Sequence, residues 1–298
     1  MPETQVKVPS ARVEPTSGEP PAPGSDTYVT VIRPPTALPR LPLSEIWRYR
    51  ELLGIFVWRD IKVRYKQTVI GGVWVVFQPL LTAVVYTLIF GRFAKFNSAG
   101  LPYPLFAFAG MIAWQYFSGS LNVSSSSLVS NVPLLTKVYF PRLLLPLAGV
   151  LTPLVDFLVS IPILIGIMAW FHIWPGLNAL LAPAFILLAL VAALGAGLVF
   201  SALNVRYRDI PYVIPAFMQV MPLLSAVPFT LENLPPKWQW LLSVNPMTTV
   251  VAGWRWCVLN GPPLVMGQAL LSAGVAVTLF ILGIVVFMRL EPRFADKI

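Results

Sequence analysis

Three short segments hold most of the charged and aromatic side chains that are suited to chemistry in this sequence. They are residues 58–68, 131–142 and 204–210, and their candidate residues are Arg59, Asp60, Lys137, Tyr139, Arg142, Arg206, Arg208 and Asp209. Such side chains can bind a protein partner or lipid phosphates through charge-assisted hydrogen bonds. Plainer interpretations stay open. The first set can extend toward a membrane surface without a partner, the second can form a simple loop, and the third can cap a helix end.

The sequence lacks the residue combinations that most enzymes use. Cys257 is the single cysteine and His172 the single histidine, so we expect no internal disulfide, no metal site and no catalytic residue. It contains no glycine-rich loop ending in Lys-Ser or Lys-Thr, the pattern that binds nucleotide phosphates. We therefore predict that the chain is not an enzyme and that it binds no cofactor itself. If it drives transport, the energy must come from another subunit.

The composition indicates a membrane protein. Of the 298 residues, 57% are hydrophobic and only 11% are charged, whereas soluble globular proteins carry roughly 25% charged residues. The net charge of +9 does not indicate a nucleic-acid partner, because the basic residues flank long apolar runs and do not form one soluble patch. Lipid must therefore cover part of the surface.

Long apolar runs predict an all-α membrane protein with six transmembrane helices. Crossing a bilayer takes about 20 apolar residues, and the predicted spans are 69–91, 104–121, 143–171, 177–203, 212–231 and 265–288. The serines from Ser124 to Ser127 either extend the second helix or form a loop. Asp156, the only charge in the third span, is expected to bond to nearby polar groups or to a partner chain, with a proton relay as the alternative.

The chain divides into four regions. Residues 1–43 are rich in proline and poor in apolar residues, which predicts a disordered tail. Residues 44–68 mix basic, apolar and aromatic side chains, which is typical of an amphipathic helix lying on a membrane surface. Residues 69–290 form the predicted six-helix domain, and residues 291–298 form a short tail.

The positions of lysine and arginine predict how the helices are oriented. With six spans, 17 of the 21 basic residues fall on the side of the N-terminus, which places both termini in the cytoplasm. Segment 232–263 then lies on the outer side, and it contains Trp238, Trp240, Trp254, Arg255 and Trp256. Tryptophan is typical of a membrane–water boundary. Because its apolar stretches are too short to span, we predict two short re-entrant helices separated by Pro246.

Three motifs in a fixed order resemble the permease subunits of ABC-2 type polysaccharide exporters, the family of O-antigen and teichoic acid transporters. The first is WRDIKVRYKQT at 58–68, followed by Trp74 and Gln78-Pro79. The second is NVPLLTKVYFPR at 131–142, and the third is NVRYRDI at 204–210. Asn245-Pro246-Met247 is also similar to this family. Each motif alone is weak, but the ordered set is specific and covers residues 44–290.

The resemblance implies an exporter of lipid-linked polysaccharide in the bacterial cytoplasmic (inner) membrane. It implies a homodimer of this chain that binds two copies of a separate ATPase subunit, with ATP and Mg²⁺ held by that partner. The candidate residues of the three charged segments then become contacts that transmit movement of the ATPase. Membrane lipids and the lipid-linked glycan are the other expected partners.

A path for sugars should be wet and should carry aromatic rings, which stack on the C–H faces of sugars. Trp74, Phe77 and Phe117 are the candidates for pore lining, although aromatic residues in membrane helices more often face lipid or the core. Two other functions stay open: an ABC-2 permease for a small hydrophobic drug or lipid, and a membrane scaffold without transport activity.

Overall fold

The chain is helical wherever its structure is described. The computed structural model describes residues 43–66, 71–207 and 209–294, and these ranges contain no β-strand, which confirms the all-α prediction. The helices are α1 Leu43–Arg48, α2 Arg50–Lys66, α3 Gly71–Tyr86, α4 Tyr103–Ser130, α5 Val132–Leu135, α6 Leu144–Trp170, α7 Ala182–Arg206, α8 Ile210–Leu224, α9 Pro236–Ser243, α10 Pro246–Leu259 and α11 Met266–Leu290. The predicted disordered tail, residues 1–43, lies almost wholly outside the described residues.

Among the described residues, four helical segments are long and apolar enough to cross a membrane. They are Val73–Phe93, Leu144–Trp170, Leu177–Arg206 and Met266–Leu290. The first combines α3 with a π-helical extension, Thr87–Phe93, and the third begins with a 3-10 turn, Leu177–Leu181. At about 1.5 Å per residue each exceeds the hydrocarbon thickness of about 30 Å.

The other two predicted spans fall on α4 and α8, and both differ from the prediction. α4 has 28 residues and continues through the serine run, so these serines extend the helix. Because its second half is polar, α4 does not reach the hydropathy of the other four. α8 has only 15 residues. It ends at Leu224, well before the predicted residue 231, and Ala226 in the following turn has a left-handed backbone with φ of 52°.

The helices alternate in direction and bring two sets of loops to opposite ends of a bundle. At the end that we call the α2 end, the rings of Phe56 and Phe140 meet edge to face with centroids 5.4 Å apart. At the opposite, α10 end, the Tyr103 hydroxyl donates to the Pro228 carbonyl. Asn260, at the end of α10, donates to the Trp174 carbonyl at 2.8 Å. The described residues of the second and third charged segments therefore fall at the α2 end, where Asn204 also donates to the Ser125 carbonyl. The first segment begins near this end and follows α6 inward as far as Asp156.

The pre-membrane segment forms two helices where one was predicted, with a break at Tyr49. α2 packs lengthwise along the first half of α6, and Phe56 is its buried residue. Its opposite side exposes Trp58, whose ring lies 5.3 Å from the Lys62 ammonium. α2 also exposes Ile55 and Val63, so its amphipathic character and its position at the membrane surface both stay predictions.

Small residues allow the closest helix crossings. A Cβ added to Gly195 of α7 would lie 2.6 Å from the backbone nitrogen of Phe280 and 2.7 Å from its Cα, both in α11. A Cβ added to Gly149 of α6 would lie 2.8 Å from the backbone of Ser124 in α4. Backbone atoms cannot rotate aside as side chains do, so these contacts require glycine.

We predict that Gly195→Leu sharply lowers the stability of the folded chain. Overpacking of a core costs about 1–3 kcal/mol, and a clash with backbone should fall at the upper end of that range. Thermal unfolding in detergent measures the effect. Gly274→Leu is the matched control, since nothing lies within 4 Å of a Cβ at that glycine of α11. Equal melting temperatures for the two variants would contradict the proposed crossing.

Candidate coupling and substrate sites

Arg59 and Asp60 pair with each other at the surface of α2. Nε and Nη2 of Arg59 both donate to one carboxylate oxygen of Asp60, at 2.9 and 2.8 Å. Both side chains are partly exposed, and exposed pairs contribute only about 0–1 kcal/mol. The two charges can therefore exchange this pairing for a partner's side chains at little cost.

The loop between α5 and α6 presents two of its three candidates to the outside. Lys137 is exposed, and Tyr139 has 84% of its surface accessible. Arg142 instead ties the loop to the end of α11, because its Nη1 donates to the Glu291 carbonyl oxygen at 2.7 Å. Burial raises the pKa of the Glu291 carboxyl, and the nearby Arg142 opposes that rise. Arg142 therefore holds the loop in place, while Tyr139 and Lys137 remain available to a partner.

The turn between α7 and α8 is exposed as well. Arg206 lies with its guanidinium carbon 5.2 Å from the ring centre of Tyr207. Asp209 directly precedes α8, yet its side chain does not cap that helix, so the capping interpretation is wrong for this residue. Arg208 lies outside the described residues. Arg206, Tyr207 and Asp209 are thus all exposed in the described part of this turn.

Asp156 of α6 links α2 to the bundle through two side-chain hydrogen bonds. One of its carboxylate oxygens accepts from Arg64, and the other accepts from the Tyr65 hydroxyl at 2.6 Å. Burial first, and then the bond to Asp156, raises the pKa of Tyr65, so this hydroxyl stays protonated as the donor. The expectation that Asp156 bonds to nearby polar groups is confirmed, and its partners are the last residues of the pre-membrane helix.

A groove of about 560 Å³ opens beside this link. Its walls come from α2, α3, α4 and α6. They combine aromatic side chains, among them Trp74, with the amides of Gln78, Gln115 and Asn122. Neither Gln78 nor Gln115 forms a side-chain hydrogen bond with another described residue. Polar groups of this kind in a membrane protein mark a wet path or a ligand site, because lipid offers no hydrogen bonds.

The three predicted pore residues differ in their surroundings. Trp74 lines the groove, and the ring of Phe77 lies 5.6 Å from it on the same helix. Both are about half exposed, at 53% and 47%. Phe117 is partly buried against the core and contacts Trp114 with ring centroids 5.6 Å apart. The groove therefore includes Trp74, adjoins Phe77 and does not include Phe117.

The segment between α8 and α11 contains two short helices, α9 and α10, and Pro246 begins the second. Trp238 of α9 is 53% exposed, as expected of a boundary residue. Trp254 of α10 is only 4% exposed and packs on Phe157 with ring centroids 5.1 Å apart. The prediction of a boundary position is wrong for Trp254, because α10 packs against α4 and α7 and places this face in the core.

Arg255, predicted in an outer loop region, is a buried cation with 4% exposure. Its Nε donates to the Phe106 carbonyl at 3.1 Å, its Nη1 to the Ala226 carbonyl at 3.2 Å and its Nη2 to the Val227 carbonyl. The guanidinium carbon also lies 3.5 Å from the centre of the Phe106 ring. Arg255 thus joins α4, α10 and the turn after α8.

Comparison with known proteins connects this architecture to a family. Residues 51–259 match the family described as ABC-2 type transporter. The chain belongs to the ABC-2 type transporter family. O-antigen export system permease protein RfbA of Klebsiella pneumoniae is 30% identical over 83% of this chain and 94% of that protein. RfbA of Myxococcus xanthus is 28% identical over 86% and 98%. Polysialic acid transport protein KpsM of Escherichia coli is 25% identical over 68% and 79%.

The match confirms the resemblance that the three motifs indicated, because it includes all of them. As an ABC-2 chain whose described part includes four long apolar helices, this protein is a membrane subunit of a transporter. The relatives are aligned over most of their own length, so the similarity extends beyond the motifs.

Sequence reasoning missed several residues of this ABC-2 membrane domain. Gln115 and Asn122 line the groove, and the Tyr65 hydroxyl donates to Asp156. A signal for the α4 residues exists in the sequence, since polar side chains recur every three or four residues through α4. The serine run obscured it, because four consecutive serines show no preferred face.

Proposed function

We propose that this chain is the permease subunit of an ABC transporter that exports lipid-linked polysaccharide across the bacterial cytoplasmic membrane. The observation that carries the proposal is the near full-length similarity to O-antigen export permeases, at 30% identity over 94% of one relative. The groove with Trp74 and three amides supports it, since rings and amides together suit a polyhydroxylated substrate.

A separate ATPase subunit powers transport in this proposal and binds the ATP and Mg²⁺. Two copies of the chain and two of the ATPase form the complex. Exposed apolar side chains on α3 and α8, such as Leu81 and Phe217, suit a second copy or lipid. Six spans with both termini in the cytoplasm fit the alternating helices, with α4 and α8 as the second and fifth. The helices α9 and α10 then re-enter the outer leaflet.

The ATPase docks at the α2 end. Tyr139 and Lys137 are exposed there, and the Arg59–Asp60 pair and the Arg206–Asp209 turn supply further charges. Phe140, next to Tyr139, packs on Phe56 of α2. A displacement of this loop by the ATPase is therefore transmitted to α2 through that contact. Coupling between two sites needs an element that both can bias, and α2 is positioned to be that element.

Deletion of the coding sequence from its host tests the transport function. The expected result is loss of the surface polysaccharide and accumulation of lipid-linked polysaccharide inside the cell, both restored by the full chain. Purification of the tagged chain should also retain an ATPase. A host that keeps its surface polysaccharide but becomes sensitive to a hydrophobic drug would favour a drug or lipid permease. If the deletion causes neither phenotype and the purified chain retains no ATPase, the result would favour a scaffold.

We predict that Tyr139→Ala lowers export while insertion and ATPase binding remain normal. Coupling free energies are typically about 1–3 kcal/mol, which corresponds to a factor of about 5–150 in function. Surface polysaccharide per unit of inserted protein is the measurement. The matched control is Trp174→Ala, an aromatic side chain with 62% exposure at the α10 end. Equal export from the two variants would remove this loop from the coupling pathway.

A further inference from the structure

A stripe of polar side chains runs along one face of α4. It consists of Gln115, Ser118, Asn122, Ser126 and Ser130, spaced by three or four residues so that they share one side of the helix. The fifteen steps from Gln115 to Ser130, at about 1.5 Å each, give the stripe a length of roughly 22 Å. It extends from the middle of the bundle to the α2 end, in a helix whose other faces are largely buried.

The stripe faces two adjoining cavities. The first is the groove of about 560 Å³ already described, and Gln115, Ser118 and Asn122 line it. The second, of about 510 Å³, lies between α2, the end of α4 and the start of α6, and Ser126 and Ser130 line it. Arg64 lines both cavities. Together they form a trench along α4, which the Arg64–Asp156 pair crosses at the junction.

The polar groups of the trench still have hydrogen-bonding capacity. The Ser126 hydroxyl donates to the carbonyls of Asn122 and Val123 in its own helix, at 3.0 and 3.2 Å, so its oxygen remains an acceptor. The Asn122 amide donates to the Ser118 carbonyl at 3.0 Å, and no described residue donates to its amide oxygen. In a chain that spans a membrane, such groups need water or a polar ligand, because each unsatisfied group in hydrocarbon costs several kcal/mol.

The chemistry of the walls selects a class of ligand. Hydroxyls and amides exchange hydrogen bonds with sugar hydroxyl groups without requiring one pattern, and Trp74 offers a ring face for stacking in the first cavity. The second cavity adds the charges of Arg59 and Asp60. A purely apolar ligand would leave this stripe unsatisfied along its whole length.

We propose that the trench along α4 binds the saccharide of the substrate and guides it from the α2 end toward the middle of the bundle. This inference rests on the proposed export of polysaccharide and assigns the contact to α4 within a single chain. The Arg64–Asp156 pair closes the trench at its junction, so a saccharide can pass that point only when α2 shifts relative to α6.

Site-specific photo-crosslinking in the native host tests this assignment without a purified ligand. The benzophenone amino acid replaces Ser118 or Ser126, and an ATPase partner that binds but does not hydrolyse ATP traps the substrate. After illumination, the expected result is carbohydrate attached covalently to the chain at both positions. The matched control is Leu158, 57% exposed on α6 and about 200° around that helix from Asp156. Carbohydrate at neither trench position, or equally at Leu158, would overturn the assignment.

Cysteine labelling supplies a second measurement, which remains valid if the variants with the bulky benzophenone side chain do not fold. In a Cys257→Ala background, single cysteines at the five stripe positions should react with a water-soluble methanethiosulfonate reagent. Cysteines at Ala113, Leu121 and Leu128 of α4, which are all buried, should not. Uniform protection of the stripe would overturn the trench even if the host requires the chain for export. If the stripe cysteines react but the host exports its polysaccharide without this chain, the proposed function would be refuted instead.

Discussion

Asp156→Ala is expected to reduce export at least about tenfold while the complex still assembles and hydrolyses ATP. The substitution removes the carboxylate that accepts from both Arg64 and Tyr65 and so releases the end of α2 from α6. Both charged side chains are mostly shielded, with 32% and 23% exposure, so the lost interaction is not screened as a surface pair would be. Export and ATP hydrolysis, measured on the same reconstituted complex, separate uncoupling from misfolding.

The reversed pair gives the sharper form of this test. Arg64→Asp alone should reproduce the loss, and Arg64→Asp combined with Asp156→Arg should recover a large part of export. Lys62→Asp is the matched control, because it makes the same change of charge on the exposed side of the same helix. A double variant that inserts and assembles but exports no better than either single variant would show that pairing is not what matters.

Arg255→Met is expected to have the largest effect on folding. The variant leaves the carbonyls of Phe106, Ala226 and Val227 without their donor. Each buried group left unsatisfied costs about 1–3 kcal/mol, so the total should be about 3 kcal/mol or more even though a buried charge is removed. The yield of monodisperse protein and its melting temperature in detergent measure this loss.

Two further variants test whether the loss of stability comes from the buried position of Arg255 rather than from the removal of a positive charge. Lys237→Met removes a cation from an exposed site in α9 at the same end and should change stability by no more than about 0.5 kcal/mol. Gly110→Ala adds a Cβ where the Arg255 guanidinium lies against the α4 backbone and should also destabilise the chain. Wild-type behaviour of both Arg255→Met and Gly110→Ala would contradict the role described for this cation.

Much of the helical architecture follows from the sequence because long apolar runs have few alternatives in a membrane. The predicted spans at 143–171 and 265–288 agree with α6 and α11 to within two residues. The fifth span was predicted too long, since α8 ends at Leu224. Its last predicted residues form a turn that Arg255 holds through the carbonyls of Ala226 and Val227. These contacts join residues separated by 29 and 28 positions, so they leave no local pattern in the sequence.

The sites were less predictable for the same reason. The exposure of Tyr139 and Lys137 follows from the sequence, because a short charged loop between two apolar helices must lie at an end of the bundle. Trp254 was assigned to a boundary from its residue type, yet its face of α10 packs on Phe157. The link from Arg64 to Asp156 joins residues 92 positions apart. The residues that flank Arg64 and Asp156 in the sequence give no indication that these two side chains form a pair.

That separation of 92 residues also sets an order for biogenesis. Ribosomes add roughly 5–20 residues per second, so at those rates Asp156 is made roughly 5–20 s after Arg64. During this interval the arginine has no carboxylate from α6 to meet. Its positive charge can then act with those of Lys62 and Lys66 to orient the first membrane segment during insertion. Only after α6 has inserted can the same guanidinium dock, so one side chain acts first as a topology signal and later as a tertiary contact.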